Sequence, residues 1–243
     1  MNLIVCKNYE EMSLTAAAQA ADIVSAPGEH LISFPGGDTP LGMVREFSRL
    51  VNKGGGVAEG ISRTRYVQLD EWVGLGAEDA GSCARFNQEN LLNNLRHPFL
   101  GVHLIDGLAA SLEAECGRLN AFIDRHGPLD LSVLGIGLNG HLGFNEEGVD
   151  FEKTAHIIPL SETTKKVMRK YFDRDRDLEY GITQGIRHIM AAKKVILIAN
   201  GAHKAAILKR AFTGPVTNAV PASILQRHGN CTVIVDRDAA VEL

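Results

Sequence analysis

The chain predicts an α/β fold: a Rossmann-like, doubly wound, mostly parallel sheet with helices on both faces. Two observations predict it. Short apolar or β-branched runs alternate with longer segments of helical pattern along all 243 residues. Most of those runs are continuously apolar, as strands covered on both faces must be. No internal repeat or low-complexity segment interrupts the alternation, so residues 1–243 are expected to form a single domain with its own sizeable core.

In chain order, a helix is expected over 9–25, then a strand at HLISFPG (30–36) that runs into the pair Gly36-Gly37. Thr39 and Pro40 open a helix over 40–52, proline being favourable in a first turn. GGGVAEG (54–60) is composed like a flexible connection rather than a domain linker. The strand YVQLDEW (66–72), a helix over 83–95, the strand VHLIDG (102–107) and a helix over 111–126 continue the pattern. LDLSVLGIG (129–137) reads as a strongly buried strand, followed by a helix over 161–172 and the strand KVILIANG (194–201). A helix over 202–212, after Gly201, and the strand CTVIVD (231–236) close the series.

Bulk properties exclude several classes. Hydrophobic residues make up 45% and charged residues 22%, ordinary for a globular domain. A net charge of −4 with no basic stripe gives no reason to expect a nucleic-acid partner. Cys6, Cys83, Cys116 and Cys231 show neither C-x-x-C pairing nor metal-ligand spacing, which suits free thiols in a reducing compartment. MNLIVCKNYEEM is too weakly apolar for a signal peptide, and no run approaches the ~18 apolar residues that cross a bilayer. A cytoplasmic protein with no membrane partner is expected.

Ligands of doubly wound sheets bind beyond the carboxyl ends of the strands, so chemistry should follow the apolar runs. In FPGGDTPLGM (34–43), Gly36 and Gly37 let backbone approach a ligand, and the helix start beyond them suits an anion. The same residues equally describe a tight turn with Asp38 or Thr39 as the helix cap. In VQLDEWVG (67–74), adjacent Asp70 and Glu71 point to opposite sides, so one of them can face a pocket as a general base; a solvated strand end is the plainer alternative. LGIGLNGHLGFNEEG (134–148) places Asn139, His141 and Glu146 at a strand mouth among glycines. Glu146 can hold one ring nitrogen while the other exchanges a proton, although a lone loop histidine is more often structural. In TTKKVMRKYFDRDRD (163–177), Lys170 or Arg169 is placed to close over an anion from a mobile lid at about 160–180, unless the segment is merely a solvated face. Lys204, in the first turn of a helix, conflicts with the local preference for negative charge, a conflict that a bound anion relieves.

Together GGDTPLG, LDEWVGL, LGIGLNGHLGFNEEG, ANGAHK and PASILQRH (221–228) resemble the glucosamine-6-phosphate deaminase/isomerase family, including its galactosamine-6-phosphate branch. The resemblance spans essentially the whole chain. It implies conversion of an aminosugar 6-phosphate to a ketose 6-phosphate and ammonia, with a small phosphosugar as partner and no metal or redox cofactor. Asp70 matches the base that moves a proton between C2 and C1, His141 the acid/base of ring opening, and Glu146 the carboxylate assisting it. Residues 37–39 match the phosphate loop, with Lys204 and Lys170 as counter-cations.

Asn139 stands where some members have Asp, leaving Glu146 to orient His141. Asp38 stands where a small residue is common, which suits a phosphate site if it caps a helix or pairs with Lys204. Lys170 stands where Arg is frequent and keeps the charge without the bidentate fork. Trp72, Gly81-Ser82-Cys83 and HLGFNE lean toward the galactosamine branch, and His156 takes a position where regulated members carry Arg, so no allosteric control is expected. A 6-phosphogluconolactonase-type hydrolase accounts for GGDTP but less well for LDEWVG and GHLGFNE. A non-catalytic sugar-phosphate sensor is the third reading, against which stands the absence of a helix-turn-helix segment. Oligomeric state is open.

Overall fold

The computed structural model describes residues 1–172 and 176–243; Asp173, Arg174 and Asp175, part of the charged run noted above, lie outside the described residues. Seven strands form one sheet in the order β1 (Asn2–Cys6), β10 (Cys231–Asp236), β9 (Val195–Ala199), β6 (Leu131–Leu134), β2 (His30–Ser33), β3 (Thr64–Val67) and β5 (Gly101–His103). Every pairing in it is parallel. After β2 the chain adds β3 and β5 to one side, then returns to lay β6 against the other side of β2 and continues with β9 and β10. Winding therefore reverses between β2 and β6, which marks the crevice where ligands of such sheets bind.

The continuous apolar runs have the expected cause. Ile196 and Ile198 of β9 pack with Met12 of α1 (Tyr9–Ser25) and Phe47 of α2 (Asp38–Lys53). Their neighbours Val195 and Leu197 pack on the opposite face with Leu119 of α5 (Leu112–His126), Ile189 of α7 (Ile186–Ala191) and Leu208 of α8 (Ala205–Thr213). Successive strand residues point to opposite faces, and both faces are covered. Helix ends follow capping chemistry: Asn8 accepts from the Glu11 N–H before α1, and Ser111 accepts from the Ala114 N–H before α5. Among the described residues no helix is long and apolar enough to cross a membrane.

Several boundaries differ from expectation. Residues 54–60 are not a loose connection: α3 (Gly56–Ile61) packs on α1 and buries Ala58 and Ile61. The expected strand 66–72 is two strands. The chain leaves the large sheet after β3, and β4 (Asp70–Trp72) joins a small antiparallel sheet with β8 (Tyr180–Thr183) and β7 (His156–Pro159). Two buried glutamines take over the backbone groups at that break. Gln68 Nε2 donates to the Asp70 carbonyl (2.7 Å), its Oε1 accepts from the Ile105 N–H (3.1 Å), and Gln184 Nε2 donates to the Gln68 carbonyl (2.9 Å). A run that is apolar on both sides of one glutamine hides such a break. The helix expected over 83–95 is α4 (Cys83–Asn90) plus a 3-10 turn at Leu92–Asn94, and that over 161–172 is α6 (Glu162–Met168) plus a 3-10 turn at Arg169–Tyr171. A 3-10 turn at Ala202–Lys204 likewise precedes α8.

His188 on α7 is buried, and both of its ring nitrogens are without a hydrogen-bond partner among the described residues. Burial, opposed by the charge of Asp124 and helped by Arg187 and His156, pulls it down to about 4. The folded chain keeps this ring neutral while the unfolded chain protonates it below about 6.5, so stability falls as pH drops from about 6.5 toward about 4. Its share is about 3 kcal/mol, from the shift at 1.36 kcal/mol per unit. Urea unfolding at pH 7.5 and pH 5 should show a smaller difference in His188→Leu than in wild type; equal differences would rule the group out.

Candidate active site

Four neighbouring strands, β9, β6, β2 and β3, each deliver one group to a single cavity of about 460 Å3. The loop after β2 brings Gly36 to Thr39, the link from β3 into β4 brings Asp70, the loop after β6 brings His141, and the turn after β9 brings Lys204. The volume suits a small polar ligand. Asp70 and His141 thus face the same space, as the sequence reading required.

Gly37 ends the first of these loops with φ of 103°, a conformation that side chains rarely adopt, and it is the residue that caps α2. Asp38 and Thr39, one of which would cap the helix in the tight-turn alternative, are instead its first two residues. No side chain caps α2, so its first-turn N–H groups remain available to an anion. Thr39 Oγ1 donates to Asn200 Oδ1 at 2.8 Å, fixing this loop to the end of β9. The Asp38 carboxylate does not pair with Lys204. Its Oδ2 lies 2.6 Å from Lys170 Nζ, while Lys204 Nζ donates to the Ile136 carbonyl at 2.6 Å. Lys204 is partly buried, and burial together with the charge of Lys170 lowers it to about 8. Lys170 sits at the edge of the site rather than in the cavity wall; Arg169 faces a separate surface hollow with Glu162 and Lys166.

The carboxylates at 70 and 71 divide as their alternation demanded. Glu71 is fully buried away from the cavity, where its oxygens accept from the Trp72, Cys83 and Ala84 N–H groups at 2.7–3.0 Å and from Ser82 Oγ at 2.8 Å. It anchors the start of α4. Asp70 faces the cavity with the Cys83 thiol beside it; burial first, then the charge of Glu71, push it up to about 7. A carboxylate at that value is a competent base near neutrality.

His141 lies flat against Gly137, where any Cβ would come within 2.5 Å of its ring, so the glycine admits the imidazole. Its Nδ1 is 3.3 Å from Glu146 Oε2. Asn139 and Glu146 do not line the cavity; they hold the histidine. Asn139 Nδ2 donates to Glu146 Oε2 at 2.7 Å, and its Oδ1 accepts from the His141 N–H at 3.3 Å. Burial opposes the charge of Glu146, yet the hydrogen bond and charge of His141, with hydrogen bonds from Thr164 and Asn139, outweigh it and hold the carboxyl down at about 2. Asn139 therefore serves the carboxylate rather than a relay through the imidazole.

Three contributors were not foreseen. Ser161 and Thr164, at the start of α6, hydrogen-bond to Glu146, and Tyr171 places its hydroxyl against Gly37. The signal for the first two was S-x-x-T ahead of a helical run, a capping pattern that gives no hint of a distant partner.

Comparison with known proteins identifies relatives of the whole chain. The family described as glucosamine-6-phosphate isomerases/6-phosphogluconolactonase matches residues 8–234. A glucosamine-6-phosphate deaminase of Clostridium perfringens is 38% identical over 241 residues, 99% of this chain and 98% of that one. One from Lachnoclostridium phytofermentans is 42% identical over 236 residues, 96% and 98% of the two chains. The solved structure of a monomeric glucosamine-6-phosphate deaminase superimposes with a TM-score of 0.93 over the full length of both chains at 32% identity. The 6-phosphogluconolactonase of Trypanosoma brucei, at 21% identity and a TM-score of 0.75 over 100% and 98% of the chains, shares the fold. The sheet order, the strand-end groups and these likenesses agree, and the chain belongs to the glucosamine-6-phosphate isomerase/6-phosphogluconolactonase family.

Proposed function

We propose that this chain converts an aminosugar 6-phosphate, glucosamine 6-phosphate first, to the ketose 6-phosphate and ammonia. The observation that carries the reading is the convergence of Asp70 and His141 on one cavity that is also lined by an uncapped helix start and Lys204. The phosphate binds the first turn of α2 and Lys204, which fixes the sugar so that its other end reaches the two proton-transfer groups. Because Nδ1 of His141 is engaged by Glu146, Nε2 takes the O1 proton of the hemiacetal and delivers it to O5, opening the ring.

Asp70 then takes the C2 proton, and the substrate's own C2 ammonium gives a proton to O1 as the electron pair moves into C1–C2, giving the neutral aminoenol. Asp70 returns its proton to C1, leaving a protonated imine at C2. Water adds to C2, and ammonia leaves as the carbonyl forms. Each step uses a group already in the cavity. A free phosphosugar substrate also suits the cytoplasm, the compartment expected from the sequence.

Relatives carrying the glucosamine-6-phosphate deaminase name at 36–42% identity support the glucose epimer. Galactosamine 6-phosphate is the second reading, because Trp72 and Gly81 to Cys83, which lean to that branch, line the same cavity. Each sugar phosphate should be supplied separately and ammonia and ketose phosphate measured in equal amounts. Faster release from glucosamine 6-phosphate supports the first reading, faster release from galactosamine 6-phosphate the second. Release from neither, with hydrolysis of 6-phosphogluconolactone instead, overturns both.

A further inference from the structure

The Thr164 hydroxyl is saturated in a way that a helix cap does not need. It donates to Glu146 Oε1 and accepts from Ser161 Oγ at 3.1 Å and from His141 Nδ1 at 3.2 Å. One proton and both lone pairs are used, and Thr164 is 5% exposed. The capping of α6 is carried by a different atom, Ser161 Oγ, which accepts from the Thr164 N–H at 3.2 Å. The hydroxyl is thus spent on the pair that handles the proton.

The other end of the same segment reaches the anion end of the cavity. Six residues on from Thr164, Lys170 meets Asp38, and the hydroxyl of Tyr171 lies against Gly37. The stretch from Ser161 to Tyr171 is helix and 3-10 turn throughout apart from its cap. It spans the cavity as one short rod, with Glu146 and His141 held at its start and the anion loop held at its end.

Resting on the deaminase reading above, we propose that Thr164 is a positioning residue, whose hydroxyl orients Glu146 and His141 Nδ1 only while this rod is docked over the anion loop. Phosphate bound at residues 36–39 competes with Asp38 for Lys170 and so bears on the rod's far end. At the near end Thr164 touches the imidazole directly, whereas Ser161 reaches Glu146 and Asn139. Without the hydroxyl, Glu146 Oε1 keeps just the long Ser161 N–H contact of 3.3 Å among its described partners, and the ring loses one of its two acceptors.

The test pairs Thr164→Val, which keeps the side-chain shape, with Thr164→Ser, which keeps the hydroxyl. Thr164→Val should lower kcat by about 30-fold with KM changed less than about threefold, the loss of a hydrogen bond to a charged group. Thr164→Ser should stay within about threefold of wild type, as a retained hydroxyl requires. A second readout needs no turnover. In protein labelled with 15N-histidine, and with the signal assigned through His141→Gln, inorganic phosphate should move the His141 Nδ1 resonance in wild type and Thr164→Ser but not in Thr164→Val. An equal phosphate response in Thr164→Val, or kcat within about twofold of wild type, overturns the proposal. If wild type releases no ammonia, the functional reading fails while the resonance experiment still decides the role of Thr164.

Discussion

Asp70→Asn lowers kcat for ammonia release by about three orders of magnitude, the scale of a positioned proton-transfer group, while KM stays within a few-fold. The asymmetry follows from the geometry. Asp70 lies in the cavity wall, whereas the groups suited to hold the phosphate are Gly36 to Thr39 and Lys204. The amide matches the carboxylate in shape and lacks the basicity. The sign of the electrostatics favours a folded variant. Burial and Glu71 raise Asp70 to about 7, so its ionised form is disfavoured in the folded chain relative to water. The amide removes that repulsion, and the variant should melt at or above the wild-type temperature. The same shift sets the acid limb of kcat/KM: below about 7 the carboxyl is protonated and cannot accept from C2, so the rate rises with pH through that value. Undiminished turnover in a stably folded Asp70→Asn would remove the base from the mechanism.

What the sequence disclosed and what it hid divide along one line. Strands β2, β6, β9 and β10 are buried on both faces and read as unbroken apolar runs, and the residues just past β2, β6 and β9 are the ones that line the cavity. Asp70, His141 and Lys204 were legible because glycine or the end of a run marks the place where backbone leaves the sheet. The three-residue strand β4 was not, because it continues an apolar run into a second sheet and is separated from β3 by two residues. The four-residue strands β7 and β8 carry no long run either, and β7 is partly exposed along its length.

Pairings between distant side chains were the other loss. The sequence left Asp38 to face the phosphate, cap α2 or meet Lys204, and its carboxylate meets Lys170, 132 residues away in the chain. Thr164 binds a carboxylate 18 residues earlier. Local propensity places elements, but it does not say which exposed charge folds back on which.

The cation is the second large effect. Lys204→Met should raise KM for the sugar phosphate by about two to three orders of magnitude, the cost of leaving a desolvated phosphate without its charge partner, with a smaller fall in kcat. The lysine occupies the N-cap of α8, where a positive charge is locally disfavoured, and it is partly buried and donates to the Ile136 carbonyl. Burial and Lys170 bring it to about 8, so the empty site sheds this proton more readily than an exposed lysine does. The sign then follows. Below about 8 the ammonium is present to receive phosphate; above it the free protein carries a neutral amine and kcat/KM falls. Bound phosphate dianion favours the charged form, so the same limb in kcat moves to higher pH. With Asp70 setting the acid side near 7, wild-type kcat/KM is a narrow bell whose two apparent limits belong to the coupled site. Lys204→Met retains the acid limb and loses the alkaline one. A Lys204→Met profile that still falls near pH 8, or an unchanged KM, would detach this lysine from the phosphate and move the anion site elsewhere in the cavity.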